Sequence, residues 1–300
     1  MRRDFPPIHA IDEALQDQLD REQDAGLRAD LLSDYLWRRA RQKLFDWLCR
    51  QRDPIAIWDE RVWETPDHAP PGGPPDTIPG LSWLRLRLIG VGGPPVLAAL
   101  RWWTDRGARA EQRRDVERSL LEKCAADWGK AVLHVFGLGF AGAPWLEALA
   151  RTDVHFVMRW PRGDVLQDLL GRARPARTLV RGEKTRRGGI VFVALDRQWG
   201  RQGVLSIPVR HPVCPGPLWL VVARRDEGRE PWYLLTTELA DTPAAMWKIV
   251  SAYAMKADAE DQRRPAAVPP HPGRDRGVPR PSGWAVLGEE GRGRMVHPQG

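Results

Sequence analysis

At 300 residues and 34.0 kDa the chain is long enough for one large domain or two modest ones with a substantial core, so it needs no staples to fold. Three cysteines, Cys49, Cys124 and Cys214, stand far apart and outside any C-x-x-C or Cys/His cluster, which argues against a disulfide framework and a zinc site and makes a reducing cytoplasm the expected location. A net charge of +7 with a pI near 9.7 makes a polyanion a natural class of partner.

The first eighteen residues, MRRDFPPIHAIDEALQDQ, carry two arginines with no apolar run behind them, against a secretory leader. Residues 11–50 read as helix, with Leu31, Leu32, Tyr35, Leu36, Leu44, Phe45 and Leu48 expected to form the packed face and Arg38, Arg39, Arg41 and Lys43 the solvated one. This defines a helical N-terminal region, residues 1–52. A DNA-reading helix is the alternative use of the basic face.

PIAIWDERVWE is a short strand ending on Asp59. The Pro- and Gly-rich run 66–80 is a loop. LSWLRLRLIG alternates leucine with arginine, PPVLAALRWWT is a further strand, and EQRRDVERSLLEKCAADWG is a helix with Val116, Leu120, Leu121, Cys124 and Trp128 on one side. The Trp102–Trp103 pair reads as strand packing, with base stacking as the alternative.

AVLHVFGLGFAGAPWLEALARTDVHFVMRW, residues 131–160, is strand, glycine turn, short helix and strand. Gly137, Gly139, Gly142 and Pro144 interrupt its apolar run, so no membrane span is expected. His134 alternates with apolar neighbours and reads as a buried, satisfied histidine. Taken literally, Gly137-x-Gly139-x-x-Gly142 between strand and helix is a dinucleotide fingerprint, with Arg159 or Arg162 placed to meet a 2′-phosphate; an NAD(P)-binding oxidoreductase is thus one reading.

Residues 161–190 carry eight Lys or Arg against three Asp or Glu. Arg162, Arg172, Arg174, Arg177, Arg181, Lys184, Arg186 and Arg187 are candidates for phosphate contact, with a solvated loop as the alternative. GGIVFVALD, VLSIPVRHP, PLWLVVARR and EPWYLLTTE follow as four strands, a β-rich insertion over about 161–240. DTPAAMWKIVSAYAMK is a helix with Thr242 as N-cap, and Tyr253, Lys256 and Glu260 share a face if it continues. Residues 261–300 hold seven prolines and seven glycines, a low-complexity composition expected to be disordered.

Three strands, then helix, strand, helix and strand, is the order of an RNase H-like α/β fold: a mixed sheet flanked by helices, here spanning 53–260, with Asp59 brought beside residue 137. The segments IAIWDERVWE, GGPPDTIPGLSWLRLRL, GPPVLAALRWWTDRG, HVFGLGFAGAPWLEAL, HFVMRW, WYLLTTE and AYAMKADAE resemble, in order, blocks of the DDE transposases of bacterial insertion sequences. That resemblance implies metal-dependent DNA cleavage and strand transfer, with Mg²⁺ or Mn²⁺ as cofactor, double-stranded element ends as partner, a homodimer as an open question, and a place in the bacterial cytosol or nucleoid.

In such enzymes two aspartates and a glutamate hold two divalent ions that activate the attacking oxygen and stabilise the leaving one. By resemblance Asp59 matches the first aspartate, Glu260 the glutamate, and Tyr253 and Lys256 the supporting tyrosine and arginine of Y-x-x-R-x-x-x-E. The signature's closing lysine falls on Ala267, and the second aspartate and its arginine fall on Gly137 and Leu138. A catalytically impaired copy is therefore expected, and a non-catalytic DNA-binding protein of transposase descent is the alternative.

Overall fold

The structure, a computed structural model, describes residues 21, 25–50, 53–62, 82–90, 95–103, 112–184, 186–193, 198–225 and 230–261. The first part of the expected N-terminal helix, the 66–80 loop, the tail from 262 on and Ala267 lie outside the described residues.

The helix α1 (Ala25–Cys49) is followed by β1 (Ile55–Val62), β2 (Ser82–Ile89) and β3 (Val96–Trp103), then α2 (Arg113–Trp128), β4 (Leu133–Phe136), α3 (Ala143–Thr152) and β5 (His155–Arg159). β1 pairs antiparallel with β2 and β2 with β3, whereas β4 lies parallel to both β1 and β5. Strand order 3-2-1-4-5 with that mixture of directions is the RNase H-like arrangement, as the element order had implied.

The remaining strands continue the same sheet. β6 (Val165–Gln167) and β7 (Ala173–Pro175) form a hairpin leading to a short helix, α4 (Ala176–Leu179); β8 (Arg186–Val193), β9 (Gln198–His211), β10 (Cys214–Arg225) and β11 (Trp232–Thr236) follow. β11 pairs antiparallel with β5 and carries β10 and β9 outward from it. The segment read from sequence as an insertion thus widens the sheet. The closing helix α5 (Pro243–Asp261) lies across one face, its Thr242 Oγ1 accepting the Ala245 N–H at 3.2 Å as the expected N-cap.

Period-two alternation assigns each strand residue to one of two cores. Ile55, Ile57, Val135, Val157 and Leu234 face α5, where they meet Met246, Ile249 and Val250. Ala56, Trp58, Phe136 and Phe156 point the other way, into the core that also takes α1, α2 and α3. The alternating leucines of β2, Leu84, Leu86 and Leu88, are wholly buried in this second core. Their arginine neighbours therefore face α5.

The packed face of α1 differs from the one its leucines suggest. Trp37, Ala40, Leu44 and Trp47 are buried, while Leu32, Phe45 and Leu48 are exposed. Tryptophan outcompetes leucine here because it has flat partners: Trp37 stacks on Trp128 at 4.6 Å, and the Trp47 indole lies so close over Gly90 that a Cβ there would be 2.6 Å from the ring. Trp103 is buried, and the half-exposed Trp102 packs on Trp83 at 4.8 Å. No helix among the described residues is long and apolar enough to cross a membrane.

Candidate functional site

The β1–β4 ladder runs Ile55↔Leu133, Ala56↔His134 and Ile57↔Val135, and its continuation sets Asp59 level with residue 137. Alternation turns both toward α5. Asp59 is only 1% exposed, directly across β2 from Arg85 in register. Its Oδ2 accepts a hydrogen bond from Arg85 Nη2, and Arg87 Nη2 stands 3.8 Å from the same oxygen. The alternation of leucine and arginine in β2 is what delivers both guanidiniums to the α5 face. A carboxylate sealed from water requires such counter-charge.

α5 supplies the roof at this end. Tyr253 packs edge-on against Trp232 at 5.0 Å, with the Arg159 guanidinium 6.0 Å from its ring. Arg159 also donates to the Pro231 carbonyl at 3.3 Å, so the cation suggested for a 2′-phosphate serves the sheet instead. Lys256, one turn beyond Tyr253, is 1% exposed. Glu260 falls in the last turn of α5 by its backbone, and its side chain lies outside the described residues.

The end of β4 holds no carboxylate. Gly137 has φ −80° and ψ −178°, extended backbone that any residue adopts, so conformation does not require a glycine there. Gly142, at φ +133°, is the position in this turn that does. Between them Leu138–Phe140 makes one 3₁₀ turn, with Leu138 exposed and Phe140 buried against Trp58, Phe136 and Trp145. Asp153 caps the far end of α3 and pairs with Lys130 at 2.7 Å, too remote along the chain to replace the missing acid.

The residue after Asp59 faces the opposite core and anchors this turn. Glu60 Oε2 meets Arg113 Nη2 at 2.5 Å, and the same guanidinium nitrogen donates to the Gly139 carbonyl at 3.0 Å. Arg113 Nε and Arg114 Nη1 both donate, at 2.7 Å, to the wholly buried carboxylate of Glu117. Burial pushes the Glu60 carboxyl above its ordinary range, and the adjacent Arg113 only partly offsets this. The turn offers a carbonyl to arginines, and α3 starts only after Gly142, so the fingerprint reading finds no helix N-terminus at its first two glycines. The antiparallel first three strands likewise exclude a doubly wound sheet.

A divalent ion fits this donor set poorly. At the Asp59 corner it would meet one carboxylate already engaged by two guanidiniums, and no group of three His, Cys, Asp or Glu among the described residues could hold a metal. Of the expected pair, Asp59 lies on β1 and Glu260 in the last turn of α5, a helix that packs against β1.

The basic segment is more ordered than the loop its charge suggested. Leu166 and Ala176, both fully buried, pin the β6–β7 hairpin and α4 to the sheet, and the Arg177 N–H donates to the Arg162 carbonyl at 3.0 Å. Arg162, Arg172, Arg174, Arg177, Arg181 and Lys184 are exposed. Arg162 pairs with Glu230 at 3.4 Å and Arg172 with Asp168 at 2.7 Å, whereas Arg174, Arg177, Arg181 and Lys184 make no ion pair among the described residues. The backbones of Arg186 and Arg187 start β8; their side chains lie outside the described set. Arg210, exposed and opposite Gln167 on β9, belongs beside this patch and was missed, since only strand pairing puts it there.

His134 is buried as expected and only half satisfied: Trp58 Nε1 donates to its Nδ1 at 3.0 Å, while Nε2 has no partner among the described residues. Burial lowers its pKa to about 3, so it is neutral with the proton on Nε2.

No protein-family model and no curated protein matches the sequence. Among solved structures the chain is similar to a piggyBac transposase in a synaptic complex with hairpin DNA, at 13% identity and a TM-score of 0.42, covering 80% of this chain and 44% of that one. It is also similar to the NurA nuclease of Sulfolobus solfataricus, at 12% identity and a TM-score of 0.30, covering 82% and 85%. The chain thus spans less than half of the transposase's length. At such scores neither likeness carries an argument about this molecule.

Proposed function

We propose that this chain is a DNA-binding protein of transposase descent whose metal-dependent cutting and joining of DNA is lost or severely impaired. The observation that carries the reading is the corner at Asp59: its carboxylate is taken by Arg85 and Arg87, and the position level with it is Gly137. Carboxylates are the hard ligands that two-metal phosphoryl transfer needs, and losing a direct ligand costs more than the ~10- to 100-fold typical of its supporting shell. The exposed cations Arg174, Arg177, Arg181 and Lys184, which make no ion pair among the described residues, support retention of duplex binding, since phosphate contacts need charge and exposure rather than a catalytic centre.

The test is an assay of purified full chain on duplexes bearing the ends of the DNA that flanks its own coding sequence. Salt-dependent binding without cleavage in Mg²⁺ or Mn²⁺ is expected. Metal-dependent cutting by the wild-type chain, abolished in Asp59→Asn, would overturn the impaired reading; failure to bind duplex at low salt would overturn DNA binding.

A further inference from the structure

The β6–β7 hairpin ends in two of the most exposed apolar side chains among the described residues, Leu169 at 57% and Leu170 at 76%. A leucine pair at a frayed loop tip would mean little. This tip is built. The Asp168 N–H donates to the Arg172 carbonyl at 3.1 Å and the Gly171 N–H to the Asp168 carbonyl at 3.0 Å. Asp168 Oδ1 accepts the Leu170 and Arg172 N–H groups at 2.9 and 3.0 Å, while its Oδ2 accepts Arg172 Nε at 2.7 Å. Gly171 turns the chain at φ +76°, a conformation that favours glycine. Five residues are thus folded around one carboxylate so that the two leucines stand outward.

The root of the arm is as firm. Leu166 is fully buried, and the Ala176 N–H donates to the Asp164 carbonyl at 2.9 Å, holding α4 against the start of the hairpin. Three paired positions separate root from tip, roughly 10 Å of strand. Beside that length stand Arg174, on β7 itself, and Arg177, whose N–H bonds the Arg162 carbonyl; both are exposed and without ion pairs among the described residues. Over residues 162–184 six exposed cations stand against three acids, Asp164, Asp168 and Glu183, and Asp168 is spent on the tip itself.

An apolar point with a cationic skirt does not suit an apolar protein groove, whose rim would have to neutralise the skirt. It suits duplex DNA, where phosphates flank stacked bases and leucine is one of the side chains able to enter between base pairs. We infer that Leu169 and Leu170 form a wedge that opens a base step of bound duplex while Arg174 and Arg177 hold the flanking phosphates. Burying the two leucines against base faces offsets the loss of stacking at one step, and that loss is smallest at flexible pyrimidine–purine steps such as TA. The inference rests on the proposed binding of DNA, and adds to it a distortion that a simple basic patch would not produce.

The experiment uses the full chain and a duplex of about 30 base pairs with 2-aminopurine at its TA steps and a fluorophore pair at its ends. Unstacking raises 2-aminopurine fluorescence and bending shortens the end-to-end distance. The wild type is expected to do both at saturation. Leu169→Ala with Leu170→Ala should leave affinity within a few fold and the salt slope unchanged, while the fluorescence rise and the bend disappear. Arg174→Ala with Arg177→Ala should weaken binding and flatten the salt slope by about 2, yet restore wild-type fluorescence once saturated. Unchanged circular dichroism in both variants confirms folding, which is expected for exposed positions. Binding with no rise in fluorescence, or a rise that survives the double leucine substitution, overturns the wedge and leaves DNA binding standing. No binding by the wild type at low salt removes both.

Discussion

Arg85 and Arg87 on β2, and Arg174 and Arg177 at the hairpin, are the same side chain in opposite circumstances. The first two are largely buried, 14% and 10% exposed in their side chains, with their charge directed at Asp59. The second two stand in water and pair with no acid among the described residues. Charge committed to a buried partner is a structural element, while charge in water is available to a ligand. The carboxyl end of β1 has the outline of a catalytic corner and the electrostatics of a core, and the face that retains free charge lies on the widened part of the sheet.

The sharpest way to break that contrast is to remove the carboxylate. In a working metal site Asp59→Ala would abolish activity and leave the fold largely indifferent. Here it leaves two shielded guanidiniums facing the space where their counter-charge stood, and a loss of about 3–5 kcal/mol of stability is expected in urea unfolding. A change below about 1 kcal/mol would show that the corner is not a structural ion cluster.

A second test lies one strand away. His134, stacked between Trp128 and Phe136 and bonded to Trp58, is held neutral by burial. Its folded pKa of about 3 lies below the unfolded value of about 6.5, so between these limits the unfolded chain binds the extra proton and stability falls as pH falls. The expected loss is about 2 kcal/mol at pH 5 relative to neutral pH, read as a lower urea midpoint with unchanged slope. His134→Leu should flatten this part of the profile whatever it does to stability at pH 7. A wild-type profile already flat from pH 7 to 5 would mean that water or a rearrangement reaches the imidazole.

The strand order was legible because hydrophobic period and turn residues are local signals, and each of the first seven regular elements of the sheet domain carries its own. That position 137 carries no carboxylate was legible too, since a glycine can be read without coordinates. The role of Arg85 and Arg87 was half legible: their alternation with leucine announces a common face, but which face, and that Asp59 waits there, depends on the pairing of β1 with β2. Glu60, Arg113, Arg114 and Glu117 were illegible for the same reason, being joined across long sequence separations by a turn that the glycines made look like a ligand cradle. The hairpin at 165–175 escaped because three-residue strands hardly register as alternation, and its fold is set by one aspartate's hydrogen bonds. Glycine spacing between a strand and a helix supported the dinucleotide reading, and the late start of α3 and the antiparallel first strands removed it.

The smallest expected effect on stability comes from the exposed arginines, and it separates the two regions most cleanly. Arg174→Ala with Arg177→Ala removes two cations that touch no acid among the described residues, so unfolding free energy should change by no more than about 0.5 kcal/mol. Duplex affinity should nevertheless fall, and the dependence of log K on log salt should flatten by about 2 as two fewer phosphates lose their counterions. The matched control at the other region, Arg85→Ala, should invert the pattern, with a large fall in stability and an unchanged salt slope for the fraction that remains folded. Should Arg85→Ala flatten the slope by about 1 as well, its guanidinium would have to reach phosphate. The Asp59 corner would then be an open anion site, and the division between structural and available charge would fail where it is drawn.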